Sequence, residues 1–264
     1  MSVAIHPTAI VEKGAHLGSD VTVGPYCVIG PHARIGDRVV LHAHVVIDGR
    51  TSLGDRCEVF PFAVLGCRPQ HIRYAGEEST LEIGSDCVIR EHVTMHPGTA
   101  IDAMRTRVGD HGLFLAASHI AHDCVVGSHA IFANNASLGG HAKIGHNVMM
   151  GGFATVQQWC RVGDHAMVGS QTAVDSDVIP FAIAVGNRAK LTGINVIGLE
   201  RRGFDVDQIT MIRSLYKTIF RGKGVFADRL AAARAAHAGN HMADEIFAFI
   251  DGAGRNGICQ AQSG

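Results

Sequence analysis

The stretch that decides the fold is LGSDVTVGPYCVIGPHARIGDRVVLHAHVVI, residues 17–47. Within it an aliphatic residue recurs at every sixth position, at Leu17, Val23, Ile29, Ile35, Leu41 and Ile47. A small or β-branched residue, such as Val21, Cys27 or Ala33, lies two positions before several of these aliphatic residues. Because strand side chains alternate with a period of two, both positions face inward. Short strands and corners at a fixed period predict a parallel β-helix.

The repeat covers most of the chain and has one long interruption. It runs from Ile5 to Leu65, stops over residues 66–82 and then continues to Val174. With Ile101 counted as one repeat, the total is 27 hexapeptides, or about nine triangular coils. The interruption is polar, and a polar loop that projects from a regular scaffold is a common place for binding groups. A tolerated insertion is the alternative.

Glycines and cysteines have regular places in this repeat. A glycine often follows the aliphatic residue, as at Gly18 and Gly24, and we expect it to supply a positive φ angle at the corner. Five of the seven cysteines occupy the small inward position, where we interpret them as packing residues: Cys27, Cys57, Cys87, Cys124 and Cys160. Free thiols without a disulfide framework suit a reducing compartment, so we expect a cytoplasmic protein. The first residues lack the pattern of a signal peptide, and no apolar run is long enough to predict membrane insertion.

Helical spacing replaces the repeat beyond Pro180. Asp205 and Gln208 resemble a capping box at the start of one helix, and residues 226–238 and 242–250 predict two more. We therefore predict two domains, a β-helix over residues 1–186 and a helical domain over residues 187–264.

Charge is divided unevenly between these two parts. Residues 1–186 carry 12 Lys and Arg against 17 Asp and Glu, and residues 187–264 carry 11 against 7. The formal net charge of −1 argues against a dedicated nucleic-acid-binding protein. The basic second part, with Arg201, Arg202 and the stretch from Arg213 to Lys223, suits phosphates or an acidic partner. A solvated helix face is the plainer explanation for that stretch.

The segment HIAHDC, residues 119–124, is the strongest candidate for chemistry. An outward imidazole beside a carboxylate, as in His122 and Asp123, suits a general base. Corners 18 residues apart stack, which groups His122, His141 and Gln157 on one edge. A single corner histidine is more often structural than functional, so the hypothesis of a functional edge depends on the grouping of all three residues.

Two further features belong to the same hypothesis. Gly139 and Gly140 precede His141, and we expect their backbone N–H groups to be free for a developing oxyanion. By the count of 27 repeats, the loop over residues 66–82 leaves a different edge, one that also carries Ser170. A site that uses both the loop and His122 would then form between two chains, which predicts a homo-oligomer, most simply a trimer.

Several strings across nearly the whole length resemble one known family, the UDP-N-acetylglucosamine O-acyltransferases of lipid A biosynthesis. They are HPTAIVEKGAHLG, GPYCVIGPH, RYAGE, HIAHDC, FANNASLGGH and GINVIGLERRGF. The resemblance implies a left-handed parallel β-helix, a homotrimer, and transfer of a 3-hydroxyacyl chain from acyl carrier protein to the 3-hydroxyl of UDP-N-acetylglucosamine. It implies no metal, cofactor or covalent enzyme intermediate.

The resemblance also assigns residues. His122 matches the general base, Asp123 its neighbour, Gly140 the oxyanion donor and His141 a second site histidine. Further matches lie near the substrate or the nucleotide, namely Gln70, Arg73, Asn195, Arg201 and Arg202. The position of Ser170 is the floor of the family's groove for the acyl chain.

This sequence departs from the best-known members at four of the matched positions. Gln157 replaces a histidine, His71 an aspartate, Arg73 a lysine and Ile197 an acidic residue. Because Gln157, His71 and Arg73 keep polarity, we expect adjusted substrate contacts rather than lost catalysis. The change to His71 leaves open an acceptor with a 3-amino sugar.

Three other hypotheses for the function remain open. A related N-acyltransferase would have an additional N-terminal domain, whereas the repeat here begins at Ile5. A metal-dependent hydratase on the same prism would need three converging histidines, for which His119 and His122 are candidates. A purely structural solenoid would bind no nucleotide sugar.

Overall fold

The computed structural model describes residues 3–262, and its larger part is a three-sided prism of short parallel strands. The first sheet contains Ala4–Ile5, Thr22–Val23, Val40–Leu41, Glu58–Val59, Val88–Ile89, Leu113–Phe114, Ile131–Phe132, Met149–Met150, Met167–Val168, Ala182–Val185 and Lys190–Ile194. The second contains Ile10–Val11, Val28–Ile29, Val46–Ile47, Val64–Leu65, Thr94–Met95, His119–Ile120, Ser137–Leu138, Thr155–Val156 and Ala173–Val174. The third contains His16–Leu17, Arg34–Ile35, Arg50–Leu53, Thr80–Ile83, Arg105–Val108, Val125–Val126, Lys143–Ile144 and Arg161–Val162. The predicted parallel β-helix of about nine coils is confirmed.

The core of the prism is the double row of inward residues expected from the sequence. Beyond the first coil, the aliphatic rows and the small rows are buried, and the five cysteines interpreted as packing residues are buried and free. Burial raises the pKa of Cys124 and of Cys160 to about 12. These two thiols therefore stay protonated near neutral pH and pack as small apolar groups.

The corner glycines have a different role from the one predicted. Gly18, Gly24 and Gly36 do not have positive φ angles; the left-handed conformation lies two residues later, for example at Asp20 and Tyr26 with φ of 58° and 59°. A Cβ on Gly36 would lie 2.8 Å from the carbonyl carbon of Gly54 in the next coil. Glycine is needed there because successive coils approach closely, and the corner conformation itself is adopted by residues with side chains.

The count of repeats is wrong at one position, and this changes the assignment of edges. Ile101 lies outside the strands in a turn and is 44% exposed, whereas Val108 pairs with Ile83 of the coil before it. Residues 96–104 therefore form a second insertion at a corner. Counting Ile101 as a repeat shifted every later residue by one edge.

The corrected register brings the loop and the candidate base together. The loop beginning at Gly66 follows Val64–Leu65, whose sheet also contains His119–Ile120. The loop therefore leaves the same edge that carries His122, not a different one. The edge between the second and third sheets is called the catalytic edge below.

The C-terminal part begins as a continuation of the prism. Ala182–Val185 joins the first sheet and pairs with Lys190–Ile194 in an antiparallel hairpin. The domain boundary predicted at residue 186 falls inside this hairpin, and the division into two domains stays a prediction.

In the described part of the chain, four α-helices follow the hairpin: α1 (Val196–Arg201), α2 (Val206–Tyr216), α3 (Phe226–Ala236) and α4 (His241–Asp251). The capping box of Asp205 and Gln208 at the start of α2 is confirmed, as are the two later helices. After α4 the chain returns to the prism, where Ile258 and Ala261 bridge to Asp177 and Leu191. Within residues 3–262, no helix combines the length and apolarity needed to cross a lipid bilayer.

Candidate active site

Two loops cover one part of the catalytic edge. They are residues 66–79, which follow Val64–Leu65, and residues 96–104, which follow Thr94–Met95 in the next coil. Beneath them lie Asp123 and His141, at corner positions of the next two coils. The backbone at both is left-handed, with φ of 58° and 64°. The corner places these side chains on the edge, and the loops remove them from solvent.

The centre of the site is a buried pair of neighbours in sequence. The Nδ1 atom of His122 lies 2.9 Å from Oδ2 of Asp123, and the side chains are 5% and 0% exposed. A carboxylate is an acceptor, so Nδ1 donates and carries the proton of the neutral ring. The Nε2 atom is then left unprotonated and able to accept a proton from a substrate.

Thr99, in the second insertion, fixes Asp123. Its backbone N–H lies 2.9 Å and 3.1 Å from the two carboxylate oxygens, and its hydroxyl donates to Oδ2 at 2.6 Å. Burial acts to raise the pKa of Asp123, but the hydrogen bonds from His122 and Thr99 outweigh it and lower the pKa below its ordinary value. Asp123 therefore stays ionised and orients the imidazole.

The glycines of the next coil are not equivalent. The N–H of Gly139 donates to the carbonyl of Val156 at 2.8 Å, so the expectation that it is free is wrong. Within residues 3–262, the N–H of Gly140 has no acceptor. A Cβ on Gly140 would lie 2.6 Å from Nε2 of His122, so only glycine allows the ring to lie over this backbone. Gly140 thus places a free N–H donor beside the basic nitrogen.

His141 is held from two sides. Its Nδ1 atom donates to Oδ2 of Asp102 at 3.0 Å, and its ring stacks on Trp159 with centroids 3.8 Å apart and planes 7° apart. The same ring meets His122 edge to face, with centroids at 5.0 Å. His141 therefore packs against His122, the candidate base. Asp102 and Trp159 were missed in the sequence, because both depend on the corrected register.

A cavity of about 350 Å³ opens beside this pair on the second sheet, and we call it the catalytic recess. It is lined by His122, Gly140, Gln70, His96, His119 and Gln158, among others. Gln158 lines the recess and Gln157 does not, although both side chains are exposed.

Two more histidines line the recess. Burial, together with the nearby His96 and His122, lowers the pKa of His119 to about 4, and its Nδ1 atom shares a hydrogen bond of 2.8 Å with the hydroxyl of Thr94. His96 donates from Nδ1 to the carbonyl of Cys67, and its buried Nε2 atom has no partner in the described chain. Sequence reasoning missed His96, which lies just before the second insertion. Its Nε2 atom is an acceptor available to a substrate donor.

The loop residues predicted to contact substrate lie at different depths. His71 reaches the centre, with its ring 4.9 Å from that of His122 in an edge-to-face contact, and its Nδ1 atom accepts from the N–H of Arg73 at 3.2 Å. Gln70 lines the recess, whereas the side chain of Arg73 is exposed. The structure thus brings His71 and Gln70 to the base within one chain.

The residues predicted near the nucleotide lie elsewhere. Asn195, Ile197, Arg201 and Arg202 line a groove of about 600 Å³ on the first sheet, whose apolar wall includes Met167; we call it the long groove. It shares no lining residue with the catalytic recess. Its wall combines apolar side chains with a terminal pair of arginines, a combination that suits an amphiphilic ligand.

The residues predicted to contact the nucleotide or the acyl chain differ in whether their polar groups already have hydrogen-bond partners. Asn195 caps α1 by accepting from Gly198 N–H and donates to the carbonyl of His165. Arg202 donates to the side chain and carbonyl of Asn147, and burial lowers its pKa. Arg201 is exposed. Ser170 is also exposed, three residues beyond Met167.

One group of side chains could in principle hold a metal ion. The ligand atoms of His122, Asp123 and His141 all lie within 4.8 Å of one another. The hydratase alternative called for three histidines, and here one of the three groups is a carboxylate. Both Nδ1 atoms already face carboxylates at hydrogen-bond distance, so a cation would have to displace those hydrogen bonds.

A prism of hexapeptide coils, with a buried histidine–carboxylate pair and a free glycine N–H at one edge, defines a hexapeptide-repeat acyltransferase. Two sequence profiles agree: "Bacterial transferase hexapeptide (six repeats)" matches residues 2–36, and "Udp N-acetylglucosamine O-acyltransferase; Domain 2" matches residues 177–259. The chain is 47% identical to the acyl-[acyl-carrier-protein]–UDP-N-acetylglucosamine O-acyltransferase of Azorhizobium caulinodans, over 100% of this chain and 98% of the relative. It is 46% identical to the enzyme of the same name from Rhizobium johnstonii, over 94% and 92%.

Solved structures give the same result. The UDP-N-acetylglucosamine acyltransferase from Campylobacter jejuni superposes with a TM-score of 0.92 at 36% identity, over 98% of this chain and 100% of the other. The Francisella novicida enzyme of that name gives a TM-score of 0.94 at 30% identity, over 98% and 95%. The chain therefore belongs to the UDP-N-acetylglucosamine O-acyltransferase family. Its prism is the left-handed β-helix predicted from the resemblance.

Proposed function

We propose that the protein transfers a 3-hydroxyacyl chain from acyl carrier protein to the 3-hydroxyl of UDP-N-acetylglucosamine, the first step of lipid A biosynthesis. His122 is the general base. The observation that carries this proposal is the buried His122–Asp123 pair, with its basic nitrogen directed over Gly140. The names of the relatives support the reaction, and the geometry supports the roles.

The proton transfer follows from the tautomer. Nε2 of His122 takes the proton of the sugar hydroxyl as its oxygen attacks the thioester carbonyl carbon. The imidazolium that forms is stabilised by the ionised Asp123, which Thr99 holds in place. When the tetrahedral intermediate collapses, the thiolate leaves and takes the proton back from His122. General base catalysis of this kind contributes ~10²–10⁴ in rate.

The oxyanion needs its own donor. The thioester oxygen gains negative charge in the intermediate, and we assign the free N–H of Gly140, a residue that lies against the His122 ring, as its donor. His141 supports the geometry by packing its ring against that of His122. The substrate is bound by Gln70, His71 and Arg73 of the loop. Gln157 lies one residue from Gln158, which lines the recess, so we assign the amide contact with substrate to Gln158.

We further propose that the working enzyme is a homotrimer with sites shared between neighbours. The outward residues of the first and second sheets are largely apolar, for example Val40, Leu113 and Met149 on one and Val28 and Val46 on the other. Those of the third sheet are mostly polar or charged: His16, Arg34, Ser52, Glu82, Arg107, Lys143 and Arg161. Packing the second sheet of one copy on the first sheet of the next buries the apolar faces.

This packing also brings the two halves of the site together. The catalytic recess lies on the second sheet and the long groove on the first, so each recess meets a neighbour's groove. Asn195, Arg201 and Arg202 then contribute to nucleotide binding at the neighbour's His122.

Mixing two inactive variants tests the shared site. We expect His122→Ala and Arg201→Ala to be weakly active alone, and mixed trimers of the two to regain activity. In a mixed trimer, an intact His122 faces an intact Arg201 at some interfaces. Mixed trimers no more active than the separate variants would place the complete site within one chain.

The substrate is tested by an acyl-transfer assay that crosses two acceptors with a ladder of donors. UDP-N-acetylglucosamine and its 3-amino analogue separate the O-acyltransferase from the 3-amino variant that His71 leaves open. Donors of several chain lengths probe Ser170, which we place at the floor of the acyl groove. Ser170→Met should shorten the preferred chain by several carbons, because each excluded methylene loses ~0.8 kcal/mol of burial. Unchanged selectivity would place the end of the groove elsewhere.

We propose the cytoplasm as the site of action and acyl carrier protein, which is acidic, as the partner. No cofactor besides the carrier thioester takes part in the proposed steps. Arg201, Arg202 and the stretch from Arg213 to Lys223 attract the partner, so its KM should rise with ionic strength. A carrier-protein KM that stays constant between low and high salt would rule out this attraction. Metal analysis of the purified enzyme separates this mechanism from that of a metal-dependent hydratase.

A further inference from the structure

The catalytic edge has two sides, and the catalytic recess lies on only one of them. On the side of the third sheet a second cavity, of about 420 Å³, is lined by His141, Lys143, Trp159, Arg161, Arg255 and two glycines that follow α4. We call it the outer recess. It shares no lining residue with the catalytic recess, but the His141 ring that lines it contacts the His122 ring that lines the catalytic recess.

The cations of the outer recess differ in whether they are paired. Arg161 donates to Asp177 at 2.8 Å and to the carbonyl of Phe249, so its charge is compensated. Lys143 and Arg255 form no ion pair with any carboxylate of residues 3–262. Two uncompensated cations that line one concave surface favour an anion, and a phosphate group matches both the ammonium and the guanidinium.

The remaining wall connects this cation pair to the catalytic centre. The guanidinium of Arg255 lies 4.9 Å above the ring of Trp159, whose other face stacks on His141. The Arg255 guanidinium and the His141 ring both lie against the indole, so a base or sugar would have to displace Arg255 to stack on it. The recess thus suits the phosphate of a ligand and not an aromatic group.

We propose that the outer recess binds a phosphate group through Lys143 and Arg255, and that this group is the phosphodiester of the donor's prosthetic arm. The assignment of this phosphate to the donor's prosthetic arm rests on the proposed function. Two substrates must reach the catalytic edge, and the nucleotide is assigned to a neighbour's long groove, which faces the second sheet. The outer recess lies on the opposite, solvent-facing side, where the arm of a carrier protein can enter.

The chain has one tryptophan, Trp159, so its fluorescence reports directly on this wall. We would titrate the whole protein with inorganic phosphate, 4′-phosphopantetheine and UDP at constant ionic strength. The variants are Lys143→Gln and Arg255→Gln, with Arg34→Gln as the control, because Arg34 projects from the same sheet several coils away. All three remove one positive charge and keep Trp159.

We expect phosphate and phosphopantetheine to change the emission saturably, and Lys143→Gln and Arg255→Gln each to weaken binding about tenfold, as for the loss of one hydrogen bond to a charged group. Arg34→Gln should bind as the parent does. No saturable change in the parent, or an equal loss in Arg34→Gln, would overturn the phosphate site. A response to UDP alone would overturn the assignment to the donor.

Steady-state kinetics supply the second arm of the test. Lys143→Gln should raise the KM for the acyl carrier protein and leave that for the sugar nucleotide unchanged, and the reverse pattern would contradict the donor assignment. Fluorescence requires no turnover. If acyl transfer failed while phosphate still bound, the proposed function would be wrong and the phosphate site would stand.

Discussion

Two edges of the prism have the same backbone and differ in what covers them. The left-handed corner residues Tyr26, His44, Phe62 and His92, between the first and second sheets, have φ between 59° and 65°. On the catalytic edge, Asp123, His141 and Trp159 have φ of 58°, 64° and 68°. Rings stack from coil to coil on both edges, with centroids 4.9–5.1 Å apart on the first and 3.8 Å apart between His141 and Trp159.

Within a single chain, the exposure of these two edges is opposite. Tyr26 and Phe62 are 57% and 48% exposed, whereas Asp123 and His141 are 3% and 4% exposed. The difference comes from the two insertions, which supply Thr99 and Asp102 as partners and place His71 against the base. The repeat thus supplies a rigid position for a side chain, and the insertions supply the burial and hydrogen bonds that the proposed catalytic role requires.

The largest expected effect comes from removing the base. His122→Ala should leave the fold intact, because the side chain lies outside the inward rows, and should lower turnover by ~10² or more. His44→Ala, on the exposed edge, is the matched control and should keep its turnover. Circular dichroism and steady-state kinetics on both variants check this. Turnover close to that of the parent in His122→Ala would remove the residue from the mechanism.

A smaller effect on turnover is expected from removing one hydrogen bond that the second insertion donates to Asp123. Thr99→Val deletes the hydroxyl that donates to Asp123 and should lower kcat/KM about tenfold, as for one hydrogen bond to a charged group. Since the Thr99 hydrogen bonds lower the pKa of Asp123, their partial loss raises it, and the acid limb of the pH–rate profile should move to higher pH. Thr51→Val, a buried threonine in the strand Arg50–Leu53 of the third sheet, is the control. An unshifted acid limb in Thr99→Val would mean that Asp123 does not control the base.

The contrast between the edges also explains what the sequence could predict. The repeat shows in single residues, because each coil needs an aliphatic and a small side chain inside. The adjacent His122 and Asp123 are equally visible. The partners contributed by the insertions are not visible in the sequence, because Thr99 and Asp102 lie 24 and 39 residues from the groups that they contact.

The error at Ile101 shows why register is the weak point of such predictions. An aliphatic residue at the right spacing inside an insertion is indistinguishable from a repeat, and one false count moves every later residue to the next edge. That error separated the loop from His122. The glycines at the corners were misread for a related reason, since close approach of neighbouring coils is a tertiary contact that local spacing does not reveal.

A buried carboxyl group without a hydrogen-bond partner should have a raised pKa, in contrast to the lowered pKa of Asp123 beneath the insertions. Burial and the nearby Asp164 raise the pKa of Glu245 in α4 to about 7, and its Oε1 atom has no partner in the described chain. The folded pKa lies above the ordinary value near 4.5, so the stability of the protonated form is present below pH 4.5 and is lost as the pH rises to 7. Glu245→Gln should therefore raise Tm at pH 8 by about 2–4 °C and leave it unchanged at pH 4.

The matched variant for this test is Asp244→Asn. Asp244 lies in the first turn of the same helix and is exposed, so its replacement should not raise Tm at pH 8. An equal gain in both variants would attribute the effect to net charge rather than to the buried acid.

The smallest effect on turnover is expected on the exposed edge itself. Phe62 stacks between His44 and His92 in the same backbone conformation as His141, but no insertion covers it. Phe62→Ala removes two ring contacts and should cost about 1–2 kcal/mol of stability, measured by denaturant unfolding. Turnover should stay within about twofold of the parent, since general base catalysis depends on the distant buried pair. His141→Ala removes the equivalent ring beneath the insertions and should lower turnover far more for a comparable loss of stability. If the two variants lost turnover equally, the backbone position and not its cover would determine function.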